Sequence, residues 1–150
     1  MLKNKNLGEV FERQQKLVKI PDKVDNLRQN DTPGMRYILQ LAHADVKWLL
    51  PEGAPPYKAD PGTHGLTPSN LFRELRTLYL FLDGGNPTLT RLRREQLFVQ
   101  LLERVHVSEA EMLIALKDKK FVNKYRCPKN VVEEAFPQLL EQPFQIRFIR

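Results

Sequence analysis

The chain has 150 residues, 41% hydrophobic and 28% charged, with a formal net charge of +6 and an isoelectric point near 9.5. That balance excludes wholesale disorder. No apolar run approaches the roughly 18 to 20 residues of a membrane span, and one cysteine, Cys127, excludes an intramolecular disulfide. The N-terminal "MLKNKNLGEV" carries bases but no apolar core of a secretory signal, so a reducing cytoplasm is the expected compartment. Residues 1–66 hold 10 basic and 8 acidic side chains, residues 67–150 hold 14 and 10. A mild basic excess suits an anionic partner without requiring one.

In chain order, "LGEVFERQQKLV" predicts a helix with Leu7, Val10, Phe11, Leu17 and Val18 on one stripe. Pro21 opens a second helix with Val24 and Leu27 inward. Thr32 and Pro33 make a cap and first-turn pair for a third, bearing Met35, Ile38, Leu39 and Ala42. "DVKWLL" is then a last turn or a short extended piece.

Residues 51–66 fit neither helix nor strand. Pro51, Pro55, Pro56 and Pro61 stiffen the backbone, and Tyr57 is the one large side chain between Leu50 and Leu66. Long irregular segments are uncommon inside compact domains. This one reads as an ordered strap joining helical halves 7–50 and 67–140, with Tyr57 as anchor. A partner-recognition surface is the sharper alternative.

Beyond the strap, Thr67 and Pro68 are expected to cap a helix with Leu71, Phe72, Leu75, Leu78, Tyr79 and Leu82 at amphipathic spacing, ended by Gly84 and Gly85. Asn86 and Pro87 start the next, with Leu89, Leu92, Leu97, Leu101 and Val105 along it and Phe98 and Leu102 widening its face. Ser108 with Glu111 reads as a capping box for another. "PKNVVEEAF" is a final short helix ending before Pro137. In the tail, residues 141–150, Phe144, Ile146 and Phe148 alternate as on a strand, but no partner strand is evident. The expected fold is all-α, one domain of six or seven short helices, with Leu75, Leu78, Leu97, Leu101 and Leu113 in the core.

Catalytic signatures are mostly missing. His43, His64 and His106 are far apart in sequence and none pairs with a cysteine at metal-ligand spacing. No phosphate-binding glycine loop with its lysine, no nucleophile elbow and no zinc-protease motif occurs. Glu133 and Glu134 are adjacent on a helix and diverge by about 100°. No catalytic residue, metal or cofactor is therefore assigned.

The strongest charge feature is "KDKKFVNKYRCPK", residues 117–129. Lys117, Lys119, Lys120, Lys124, Arg126 and Lys129 can neutralise phosphates, and the interleaved Phe121 and Tyr125 can stack on unpaired bases. The competing reading is a solvated helix end whose aromatics belong to the core. Arg91, Arg93 and Arg94 form a second basic cluster, with Arg91 and Glu95 spaced to pair along a helix.

Taken in order, "LLPEGAPPYK", "LYLFLDGGNP", "RREQLFVQLLERVH", "EAEMLIALKDKK" and "VVEEAFPQLL" resemble a family of small uncharacterised proteins of T4-like tailed phages, cyanophages included. The similarity runs from about Phe11 to Leu140. It implies a phage protein acting in the host bacterial cytoplasm or in the virion, and it carries over no activity or catalytic residue. The expected function is non-enzymatic binding of a macromolecular partner: nucleic acid, or a nucleic-acid-handling complex. A minor structural component of the virion, in contact with other virion proteins at capsid or neck, is the alternative. A metal-dependent nuclease ranks third.

Overall fold

The protein's structure, a computed structural model, describes residues 6–64 and 66–148. Residues 1–5, Gly65 of the expected strap and residues 149–150 of the expected tail lie outside the described residues. The chain is all-α. Among the described residues there are eight α-helices: α1 (Leu7–Lys16), α2 (Ile20–Gln29), α3 (Pro33–His43), α4 (Leu71–Glu74), α5 (Arg91–Arg104), α6 (Val107–Lys117), α7 (Phe121–Lys124) and α8 (Lys129–Ala135). Two 3-10 segments, Leu75–Phe81 and Leu139–Glu141, complete the set. Strand-like pairing among the described residues is confined to an isolated antiparallel bridge between Trp48 and Leu82. It uses the "DVKWLL" piece and is closed by hydrogen bonds from Leu49 N–H to Phe81 O and from Asp83 N–H to Lys47 O.

α6 is the hub. Ala110, Met112, Leu113, Ala115 and Leu116 are all buried, so the helix is apolar on nearly every side, as a helix packed all round must be. α1, α5 and α7 lie against it, while α2 packs on α8. α1 comes so close that a Cβ on Gly8 would stand 2.1 Å from Ser108 Oγ. Glycine is what lets these two helices touch at that point.

Local chemistry explains where the expected elements shift. Thr32 caps α3, its side chain accepting from Met35 N–H at 3.1 Å. α1 stops at Lys16, leaving Leu17 half-buried and Val18 exposed in the linker rather than on the apolar stripe. The amphipathic run from Leu71 is only one α-turn long before it tightens into 3-10 geometry. Leu75, Leu78 and Phe81, buried at intervals of three, fit the three-residue turn of that helix. The Thr77 hydroxyl helps by donating back to Glu74 O at 2.8 Å. The cap is Asn70, accepting from Arg73 N–H, not Thr67, whose hydroxyl donates to Ser69 O instead. α5 likewise starts after Thr90 and not at Pro87, because Thr90 supplies the cap and Asn86 is spent in a local turn with Thr88. Ser108 is inside α6 rather than capping it. His106 is the cap, its Nδ1 accepting from Ser108 N–H at 3.0 Å, and Glu111 is exposed. Of the expected core leucines, Leu75, Leu78, Leu101 and Leu113 are buried and Leu97 is only half-buried; Leu92, expected along the same helix, faces solvent.

The strap is laid along α6 from its C-terminal to its N-terminal end. Pro51 and Gly53 carbonyls accept from Lys117, and the Asp118 carboxylate accepts from Gly53 N–H. Lys58 N–H donates to Glu103, Asp60 O accepts from Val107 N–H, and Gly62 O accepts from His106. Tyr57 is half-buried against the core. The described part of the tail, 142–148, is irregular, with bends at Gln142, Ile146 and Arg147, and not the expected strand-like run. It folds back onto α3: the Tyr37 hydroxyl donates to Ile146 O at 2.7 Å, and Phe144 and Phe148 flank the Tyr37 ring.

Candidate functional site

The basic segment is shaped by two helix ends. At the end of α6, Lys120 N–H bonds back to Ala115 O and Lys119 N–H to Leu116 O. This paired closure requires a left-handed residue, usually glycine. Lys119 fills it at φ 60°. The same device ends α7: Cys127 N–H reaches Val122 O with Arg126 at φ 54°. A side chain in this conformation costs roughly 1–2 kcal/mol relative to glycine, and the chain places a cation there twice. The turn is held from behind, where Gln14 donates to Arg126 O and His43 Nε2 donates to Cys127 O.

The six cations then divide. Lys117 is not available to a phosphate. It is buried, and its ammonium donates to Pro51 O at 2.8 Å and Gly53 O at 2.9 Å beside the Asp118 carboxylate. Lys119 is exposed along its stem, yet its Nζ donates to Val46 O, and desolvation holds its pKa below the ordinary lysine value. Lys124 and Lys129 lie near Glu111 and Glu133 at 3.9 and 3.7 Å, loose surface pairs that contribute little. Lys120 and Arg126 are exposed, with no carboxylate at ion-pair distance among the described residues.

Phe121 and Tyr125 do not offer stacking faces. Both are buried and pack edge-on and tilted against Phe11 and each other, with centroids 4.7 to 5.7 Å apart. Burial pushes the Tyr125 phenol well above its usual range, and the Cys127 thiol beside them up to about 12. The i, i+4 spacing that suggested interleaved aromatics is the spacing of an α-helical inner face.

The second cluster also separates. Arg94 is buried, its guanidinium donating to Leu80 O and Leu89 O, so it ties α5 to the preceding segment. Arg91 and Arg93 are exposed, Arg91 loosely paired with Glu95 at 3.6 Å. Pro51, Pro55, Pro56 and Tyr57 belong to the strap, where Tyr57 packs and Pro51 lends its carbonyl to Lys117.

The fold also assembles a group the sequence left scattered. His64, on the strap, stacks on His106 with ring centroids 3.9 Å apart. Its Nε2 meets Glu12 at 2.9 Å, and Glu9 lies 3.9 Å from Nδ1. Beneath them Glu109 is fully buried, Oε1 accepting from Leu71 N–H while Oε2 has no partner. Burial raises its pKa to about 7, against backbone N–H groups of Leu71 and Gly8 and the His64 charge, which lower it. His106 donates from Nε2 to Gly62 O at 2.6 Å and accepts at Nδ1 from the Ser108 hydroxyl at 2.7 Å. That hydroxyl is therefore committed to a cap inside the helix contact. The legible signal was Glu109 itself, a carboxylate inside the apolar run "VSEAEMLIAL". Among the described residues no group of three histidine, cysteine or acidic side chains is placed to hold a metal ion, and no helix is long and apolar enough to cross a membrane.

Fold and site together define an all-α chain with exposed cations around two glycine-like turns and a buried carboxyl, Glu109, in its interior. The chain belongs to a family of unknown function, DUF6433, whose model matches residues 10–123. The matched span ends within α7, so Lys124, Arg126, Lys129 and the tail lie beyond it. No curated protein and no solved structure matches the chain.

Proposed function

We propose that this is a non-enzymatic binding protein whose contact face is the surface formed by Lys120, Lys124, Arg126 and Lys129, and whose partner is nucleic acid or a complex that handles it. The observation that carries the reading is the turn at Arg126. A guanidinium occupies a left-handed position that glycine would fill at lower cost, it is exposed, and no acid pairs with it among the described residues. An exposed guanidinium with no acid beside it suits phosphate contact. Because Phe121 and Tyr125 are buried, the contact at this face is with the backbone and tolerant of sequence, since phosphate contacts position without specifying. The setting that the sequence resemblance implies, an infected bacterial cytoplasm or the virion, is part of the proposal.

The test is charge reversal. Lys120→Glu with Arg126→Glu should abolish retention of a labelled oligonucleotide in a low-salt mobility assay while the circular dichroism spectrum stays helical. A wild-type protein that shifts no oligonucleotide, or a double variant that binds undiminished, refutes the reading.

A further inference from the structure

α3 and the folded-back tail enclose a trough. Arg36, Gln40 and His43 fall at i, i+4 and i+7, so they share one stripe of α3 about 10 Å long. The tail runs alongside, and Gln142, Gln145 and Arg147 line the same cavities as that stripe. Two cavities fill the gap, of about 350 Å³ toward His43 and about 500 Å³ toward Arg36, and both are lined by Gln40 and Gln142. Leu140 and Phe144 line the first, Leu139 and Tyr37 the second. Lys129 closes one end. At the other, Arg147 lies over the Tyr79 ring at 4.1 Å, and Arg36 is held by Asp31 at 2.8 Å. Asp45 is the one acid lining either cavity.

Cations stand at the two ends, Lys129 and Arg147, with Arg36 already paired to Asp31; of the carboxamides between them Gln40 donates to Leu139 O at 3.2 Å, which leaves Gln142 and Gln145. A carboxamide presents a donor and an acceptor side by side, the pattern that pairs with the edge of a nucleobase. The apolar floor offers a surface for base faces. Lys129, a member of the proposed contact face, also lines the first cavity, so a phosphate held there would lie beside the trough. A duplex is far too wide for a gap of this volume, whereas unpaired bases are the form in which nucleic acid presents its edges to such a site.

We infer that the trough between α3 and the C-terminal tail is the seat of a single nucleic-acid strand, with phosphates at Lys129 and Arg147, and base edges against Gln142 and Gln145. This rests on the nucleic-acid reading of the cationic face and adds to it the strandedness of the ligand and the place where bases are met.

The experiment is fluorescence anisotropy on the full chain with three labelled probes: a single-stranded oligothymidine, a duplex of the same length, and an oligoglutamate peptide. Gln145→Ala combined with Arg147→Glu should weaken the single strand at least tenfold and leave duplex binding unchanged, with the thermal midpoint measured alongside. Photocrosslinking of a thiouridine-containing strand to the wild type gives a second readout that needs no variant, and adducts should fall in residues 36–43 and 142–148. Unchanged single-strand affinity in the variant with crosslinks confined to 119–129 overturns the trough and leaves the cationic face standing. Loss in the trough variant with no loss in the Lys120 and Arg126 reversal keeps the trough and removes the face. Binding of oligoglutamate alone overturns both.

Discussion

Glu109→Gln should make the protein more stable, and by an amount that depends on pH. The folded chain holds this carboxyl's proton up to about pH 7, whereas the ordinary value is 4.5, and burial is the principal cause. Between those values the folded state binds more protons than the unfolded one, so the stability due to this group falls as pH rises through the window and levels off above about 7. At about 1.36 kcal/mol per pH unit, the displacement from 4.5 to about 7 costs the folded protein about 3 kcal/mol once the group is ionised in both states. Glutamine keeps an oxygen for Leu71 N–H and cannot ionise. Its second polar atom replaces one that already lacks a partner in the native site, so the exchange is close to neutral at low pH. Urea unfolding of both proteins should give similar free energies near pH 4 and a gap of about 3 kcal/mol in favour of the variant near pH 8. A gap independent of pH, or a variant less stable at pH 8, would show that the Glu109 charge is satisfied in the native state, and would refute this assignment of the buried cluster.

Leu101→Ala, at a site 1% exposed, should cost about 2–5 kcal/mol in chemical denaturation; under half a kilocalorie would place that side chain outside the core. Gly8→Ala should destabilise by about 1–3 kcal/mol, because the new methyl meets Ser108 Oγ, and Ser108→Ala in the same chain should recover part of the loss. Arg126→Gly should leave thermal stability unchanged or slightly raised, since glycine fits φ 54° without strain, while nucleic-acid affinity falls. Trypsin should cut slowly after Lys58 in the isolated protein, because the strap there is tied to Glu103 and Tyr57 packs on the core; Tyr57→Ala should speed the cut.

The fold was legible where one local rule decides the outcome. Thr32 caps α3 because a hydroxyl before proline and an apolar period has little else to do, and the leucines of α6 read as core because their helix is apolar. Elements shifted where two rules compete. The run from Leu71 satisfies the α period and the 3-10 period together, and only the back-bonding of Thr77 and the bridge of Leu82 to Trp48 select the tighter form. The site was legible as charge but not as geometry. Lys117 looks like its neighbours in sequence and becomes a buried strap anchor only because the Pro51 and Gly53 carbonyls arrive from 66 and 64 residues away. Phe121 and Tyr125 face inward because Phe11, on another helix, completes their cluster. His64 and His106 stand 42 positions apart, and their stacking depends on the course of the strap, which no local pattern encodes.

The most direct test of the cationic face is the salt dependence of oligonucleotide binding by the wild-type protein. Lys120, Lys124, Arg126 and Lys129 should each release counterions on contact, so the logarithm of the association constant should fall linearly with the logarithm of salt, with a slope of about −0.7 to −0.9 per phosphate held. The Lys120→Glu and Arg126→Glu double variant should flatten that slope by about two contacts. An affinity that does not change with salt, or a slope identical in the double variant, would contradict a phosphate-binding role for this surface.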